Sequence, residues 1–248
     1  MLKITQKKPS SRQIDELSDL FFACKSHDGF HLSSPLDADL FFFAYDASGK
    51  CLTSAIAVYQ NTPDEWECVA FTRPEYRRQG HFSNLLASLC EAAENDSSNP
   101  QLFFLVDPSC PDALAVMRAL EAQLVTSEHA MEREISQTEH FPESLSLSLK
   151  TSEGDCEVFD AYDASSRCVG SCSLWLSKTS VCLFDVEILE ELRGQGFGKA
   201  MMFSVLSLLQ KRNIAQVQLQ VSGDNVAAFA LYQKTGFTVK QTLSYYLY

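Results

Sequence analysis

The sequence predicts an α+β (α/β) protein of two tandem domains, each a mixed, mostly antiparallel sheet flanked by helices. Three observations carry this expectation. A stretch of the chain repeats itself about halfway along. Segments of alternating apolar and polar residues are joined by tight turns, as in antiparallel hairpins. Each copy also holds a strand-like run that enters a glycine-containing turn and then an amphipathic helix.

The repeat orders the elements. Ala44-Tyr45-Asp46-Ala47-Ser48-Gly49-Lys50-Cys51-Leu52 recurs as Ala161-Tyr162-Asp163-Ala164-Ser165-Ser166-Arg167-Cys168-Val169, with six of nine positions identical at an offset of 117. Arginine-led turns follow in the same order, beginning at Arg77 and Arg193, an offset of 116. Residues 11–25 read as a helix with Ile14, Leu17, Leu20, Phe21 and Cys24 on one face. Residues 40–45 and 51–59 form a hairpin around Asp46-Ala47-Ser48-Gly49, and 66–72 the strand before the first glycine turn. Phe82, Leu85, Leu86, Leu89, Cys90 and Ala93 line the helix after it, followed by a strand over 101–106 and a helix over 111–124. In the second copy, 145–149 alternate as a strand, 157–162 and 168–176 form the hairpin, and 181–189 lead to the second turn. Met202, Val205, Leu206 and Leu209 share a helical face, and Val217, Leu219 and Val221 alternate with glutamines as a half-buried strand. Asp224 is placed to cap a helix running to about Thr235, Gly236 to stop it, and Phe237 to begin the last strand. The domain boundary falls near residue 138, giving an N-terminal domain over 1–138 and a C-terminal domain over 139–248.

Composition narrows the function classes. A net charge of −12 argues against a nucleic-acid partner, which needs a basic footprint. Residues 1–138 carry 11 basic and 20 acidic groups, giving −9, whereas 139–248 carry 9 and 12, giving −3, so an anionic cofactor meets less repulsion in the second half. No apolar run approaches the roughly 20 residues that span a bilayer, and the N-terminus lacks a signal-peptide core. No membrane partner and a cytoplasmic location are expected. The nine cysteines hold no Cys-x-x-Cys pair and several sit in apolar runs, as small buried hydrophobes do. The histidines show no metal-ligand spacing, so no metal is expected.

The chemistry concentrates at Arg193-Gly194-Gln195-Gly196-Phe197-Gly198. The first amides of a helix lack internal acceptors and, with the helix dipole, attract anions. Glycines let the backbone approach phosphate oxygens, and Arg193 and Lys199 add positive charge. A glycine turn can equally serve geometry alone. One strand later comes Asn225-x-x-Ala228-x-x-Leu231-Tyr232, ending in Gly236-Phe237. With Arg193, Gly196 and Gly198, this resembles the GNAT superfamily of N-acetyltransferases from about residue 157 to the C-terminus. The first copy matches less well. Arg77-Arg78-Gln79-Gly80-His81-Phe82 resembles the same loop with Phe82 at the last glycine position, and its later helix has neither the Asn nor the Leu-Tyr pair. The whole resembles a tandem GNAT protein, an organisation similar to that of mycothiol synthase, with the N-terminal domain degenerate and the C-terminal one catalytic.

The resemblance implies acetyl-CoA as co-substrate and transfer of its acetyl group to an amine by direct attack on the thioester. It implies cofactor contacts from the loop residues Arg193, Gly194, Gln195, Gly196, Phe197, Gly198 and Lys199, and from Asn225 and Tyr232. By position it also assigns the backbone of Ile188 and Leu189 to the pantetheine arm, and Tyr232 to protonation of the departing thiolate. Period-two alternation puts Leu183, Asp185 and Glu187 on one strand face and Phe184, Val186 and Ile188 on the other. Glu187, nearer the loop, is the candidate base; binding a cationic acceptor or facing solvent are its alternatives. The terminal carboxylate of Tyr248 is a further option for the base. A non-catalytic acyl-CoA-binding or regulatory module is the rival reading. Small amine, aminoglycoside, amino acid and protein N-terminus stay open as acceptors, as do O- and S-acceptors, and so does the oligomeric state.

Overall fold

The computed structural model describes residues 2–177 and 180–248. In chain order the elements are β1 (Leu2–Gln6), α1 (Ser11–Asp28), β2 (Leu40–Tyr45), β3 (Leu52–Thr62), β4 (Glu65–Thr72), α2 (His81–Glu94), β5 (Gln101–Val106), α3 (Pro111–Ala119) and β6 (Gln123–Glu134). They continue with β7 (Ser146–Glu153), β8 (Cys156–Tyr162), β9 (Cys168–Leu176), β10 (Val181–Ile188), α4 (Phe197–Lys211), β11 (Gln216–Ser222), α5 (Val226–Lys234) and β12 (Thr238–Leu247). The chain divides into two compact units. Unit 1 comprises Met1–Ser127 together with Leu243–Tyr248, and unit 2 comprises Glu128–Thr242. The division falls within β6, about ten residues before the boundary expected near 138, and the last six residues return to unit 1.

Unit 1 is built on β1, β2, β3, β4 and β5 side by side, with the end of β12 next to β5. Only β4 and β5 run parallel; the other pairs are antiparallel. Helices cover both faces, which explains why all six residues of β2 are buried. Phe41, Phe43 and Tyr45 pack with Leu17, Leu20 and Phe21 of α1, while Leu40, Phe42 and Ala44 pack with Leu85 and Leu89 of α2 and Met117 of α3. Helix α1 starts on a reciprocal capping box between Ser10 and Gln13 and stops at the left-handed Gly29. Helix α3 stops well short of residue 124 because Glu121 turns left-handed, at φ 54°.

Unit 2 orders its strands β6, β11, β10, β9, β8, β7, and here too a single pair, β10 with β11, is parallel. Helices α4 and α5 pack against one face, contributing Met202, Val205, Leu206, Leu209 and Tyr232 to a core with Leu174, Leu183, Val217 and Leu219. Among the described residues the unit has no counterpart of α1, and Trp175, on the other face of β9, is half exposed. The repeated hairpin is the same structure twice. Asp46 and Asp163 each accept backbone N–H groups through Oδ1, from Lys50 and Arg167 respectively, and the next-to-last turn position is left-handed in both, at Gly49 and Ser166.

The edge partners of β5 and β11 depart from the sequence reading. Beside β11 lie residues 128–134 of β6, and beside β5 lie Ser244–Leu247 of β12. The order strand, helix, strand was expected in both copies, but no bounds were assigned to the strand that is β6, and the last strand was expected to belong wholly to the second domain.

Candidate active site

In unit 2 the cleft begins where β10 leaves β11. The two pair only at Val181 with Val217 and Cys182 with Gln218, so the rest of β10 has no neighbour on that side. A bulge between Phe184 and Glu187 bends β10 further, with Asp185 left-handed at φ 49°. Gly170 on the facing strand makes room, since a Cβ there would collide with the Glu187 carbonyl oxygen. The bulge also corrects the expected alternation. One extra residue shifts the phase, so Leu183 points to the core together with Val186 and Ile188, while Asp185 and Glu187 are exposed.

Beyond β10 a single 3-10 turn, Glu190–Leu192, leads into the loop. Gly194 and Gly196 are both left-handed, at φ 74° and 89°, a backbone that L side chains disfavour. Gly196 occupies the N-cap of α4 with no side-chain cap and no acidic residue in the first turn, so the opening amides and the positive end of the dipole are left for an anion. Gly198 lies in the first turn where α4 approaches α5, and a Cβ there would stand 3.1 Å from Leu231 Cδ2.

Polar side chains brace the loop from within. Arg193 Nε donates to the Ile188 carbonyl at 3.0 Å, and its Nη2 lies 3.8 Å from Glu187 Oε1, both side chains being largely exposed. Gln195 Nε2 donates to the Glu191 carbonyl at 2.9 Å. Lys199 Nζ lies over the Phe203 ring at 5.6 Å, and Phe197 packs partly into the core. The Leu189 N–H donates to the Val169 carbonyl, and its own carbonyl accepts from Leu192. Backbone directions alternate along a strand, so the Ile188 N–H points to the side that β11 has vacated. Of the two positions expected to meet a pantetheine arm, Ile188 alone keeps a backbone donor directed there.

Asn225 caps α5, its Oδ1 accepting the Ala228 N–H at 3.1 Å, and takes the role expected of Asp224. Two turns later Tyr232 is buried, 7% exposed, with its ring 5.8 Å from that of Phe237. Burial, assisted by the Cys172 thiol, raises the phenol above its ordinary pKa and keeps its proton in place at neutral pH. Cys172 is itself buried on β9, its thiol pushed up to about 12 by burial. It had not been singled out, although the alternation of Gly170, Cys172 and Leu174 marks it as core-facing. The terminal residue Tyr248 belongs to unit 1, where its N–H donates to the Leu102 carbonyl.

Unit 1 repeats the scaffold with different chemistry. Arg77 Nε donates to the Thr72 carbonyl and Gln79 Nε2 to the Glu75 carbonyl, as their counterparts do. Gly80 is left-handed at φ 81°. Arg78, at φ 59°, holds the same unusual conformation where unit 2 has Gly194. Val69 and Phe71 replace the two carboxylates and are buried, and Met117 stands where unit 2 has Tyr232. A cavity of about 520 Å³ lies in unit 1, between the diverging ends of β4 and β5.

Residues 122–237 match the Acetyltransferase (GNAT) family, a span that begins one residue before β6. A mycothiol acetyltransferase of Amycolatopsis mediterranei is 44% identical over 50 residues, 20% of this chain and 17% of that protein. A [ribosomal protein bS18]-alanine N-acetyltransferase of Escherichia coli is 36% identical over 55 residues, 22% of this chain and 37% of that protein. These matches thus span well under half the length of either relative. Among solved structures, a GCN5-related N-acetyltransferase from Sphaerobacter thermophilus superposes with a TM-score of 0.75 at 16% identity, covering 99% of this chain and 95% of that one. A tandem GNAT protein from the clavulanic acid biosynthesis pathway gives 0.66 at 14% identity, covering 100% and 98%.

Proposed function

We propose that unit 2, which holds most of the residues that match the Acetyltransferase (GNAT) family, transfers the acetyl group of acetyl-CoA to an amine. The observation that carries the reading is the convergence, within one unit, of three features. These are a strand freed from its neighbour, a helix N-terminus with no cap of its own, and a buried neutral tyrosine. The pyrophosphate is read onto the amides opening α4, with Arg193 and Lys199 supplying charge. The Ile188 N–H is read onto the pantetheine arm, which would replace the missing β11 as hydrogen-bond partner. The residues thus fit a CoA thioester.

The amine nitrogen attacks the thioester carbonyl carbon, the C–S bond breaks, and the CoA sulfur takes the phenolic proton of Tyr232. Glu187 accepts the proton that the amine loses, directly or through a water. Its exposure and its loose contact with Arg193 leave it accessible for either route. Asn225 serves by holding the first turn of α5 and, through it, Tyr232. An amine as acceptor is supported by the named activity of the ribosomal-protein relative. The nine free cysteines suit the reducing cytoplasm, and no helix among the described residues is long and apolar enough to cross a membrane.

A single-turnover assay with acetyl-CoA and a panel of amines, following release of the CoA thiol, tests the reading. Amine-dependent release supports it; tight binding of acetyl-CoA with no release under any amine overturns it.

A further inference from the structure

Unit 1 keeps an open cavity beside a loop from which the features of the unit 2 loop have been altered. Strands β4 and β5 pair as far as Cys68 and Phe104 and then part, leaving about 520 Å³ between them, within the range of small-molecule sites. Its walls include Phe30, Phe71, Phe82, Phe104, Val116 and Met117. Ala113 and Ala115 of α3 leave the space unfilled on that side.

Gly80 opens α2 without a side-chain cap, as Gly196 opens α4, but the charged side chains around the cavity are arranged against a polyanion. Arg77, the counterpart of Arg193, donates through Nη2 and Nη1 to both oxygens of Asp28, at 2.5 and 2.9 Å, and through Nη1 to Asp112 Oδ2 at 2.9 Å. Burial alone would raise the Asp28 carboxyl, but the hydrogen bonds from Arg77 and His27 outweigh it and hold the group low, hence ionised. A third carboxylate, Asp107, is 4% exposed and accepts backbone N–H groups from His31 and Ser109. The lining thus sets Asp28, Asp107 and Asp112 against Arg77 and Arg78, and Phe82 fills the place of Gly198 at the helix start. A phosphate entering here would have to displace carboxylates that already hold the arginine. A single ammonium group would not, because Asp112 engages Arg77 through Oδ2 alone and is well exposed.

We propose that unit 1 binds a ligand of its own in this cavity: a largely apolar small molecule carrying at most one positive charge, and not a phosphorylated cofactor. This goes beyond the acetyl transfer assigned to unit 2, and its test needs no turnover.

The probe is N-phenyl-1-naphthylamine, an uncharged apolar amine that fluoresces on leaving water. The full chain is expected to bind it saturably, one per chain, with the same Kd at saturating CoA. Ala113→Trp, which fills the cavity, is expected to weaken the dye at least tenfold while leaving CoA affinity and Tm unchanged; if that variant does not fold, Ala115→Leu takes its place. Gly196→Asp should abolish CoA binding altogether. Absence of saturable dye binding overturns the proposal. So does competitive displacement of the dye by CoA, or CoA binding that survives Gly196→Asp and is lost on filling the cavity. A chain that binds dye as described but shows no CoA binding at all would contradict the unit 2 assignment instead.

Discussion

Replacing Gly196 by alanine separates backbone conformation from packing. A Cβ at this position meets nothing within 4 Å, so no steric term enters, yet φ is +89°. Holding an L-residue in that conformation costs about 1–2 kcal/mol. For a unit near 100 residues this lowers Tm by roughly 4–8 °C per kcal/mol. The alternative to bearing the strain is for the loop to relax, which turns the first amides of α4 away from a bound phosphate. A loss of ~1.4 kcal/mol there raises Kd about tenfold. Gly80 is the matched control in unit 1, at φ +81° with only an ordinary contact to Asn84. Calorimetric titration with acetyl-CoA and thermal melts should show both alanine variants destabilised to a similar degree. Gly196→Ala alone should raise the Kd about tenfold. If Gly80→Ala raises it and Gly196→Ala does not, the assignment of the cofactor to unit 2 is wrong.

Other perturbations follow from the same contacts. Asn225→Ala removes the cap of α5 and should cost about 1 kcal/mol of stability, read as a lower Tm, with Asn225→Asp retaining most of it. A fragment over 139–248 lacks the β6 residues that pair with β11 and should melt without cooperativity, whereas one over 128–242 should show a cooperative transition in circular dichroism. The Asp28 carboxyl is held below its ordinary pKa, so the stability it gives is present above the ordinary carboxylate range and fades as pH falls through its lowered value. Asp28→Asn should therefore destabilise by about 1–2 kcal/mol at pH 7, an amount reduced for partial exposure, with the difference from the native chain vanishing in acid. Because Tyr232 is raised, the transfer rate should show no alkaline decline below pH 10; a decline near pH 8 would mean that another group is the acid.

What was legible in the sequence was local. The hairpin turns at Asp46 and Asp163 were readable because one side chain and a left-handed position define each turn. The strand–glycine–helix units were readable because Gly80 and Gly196 punctuate two clear periodicities. Four features were not. Strand pairing is non-local, so the placement of 128–134 beside β11 and of Ser244–Leu247 beside β5 left no mark in either segment. The bulge at Asp185 was hidden because its local sequence alternates perfectly; the left-handed turn there is imposed by the departure of β10 from β11, with Gly170 making space. Asp224 and Asn225 are neighbours with similar capping preference, and only the geometry selects the second. The unit 1 cavity arises from small residues on α3 facing strands that part, and the residues that reshape it, Asp28 and Asp112, stand 49 and 35 positions from Arg77.

The central claim is that Tyr232 of unit 2 supplies the proton that releases CoA. Rapid-mixing single-turnover kinetics of Tyr232→Phe, with acetyl-CoA affinity measured in parallel, tests it most directly. The account predicts a rate lower by roughly 10²–10⁴-fold with the acetyl-CoA Kd unchanged, because the phenylalanine ring preserves the packing on Phe237. An unchanged rate, or a rate and affinity that fall together, would contradict it.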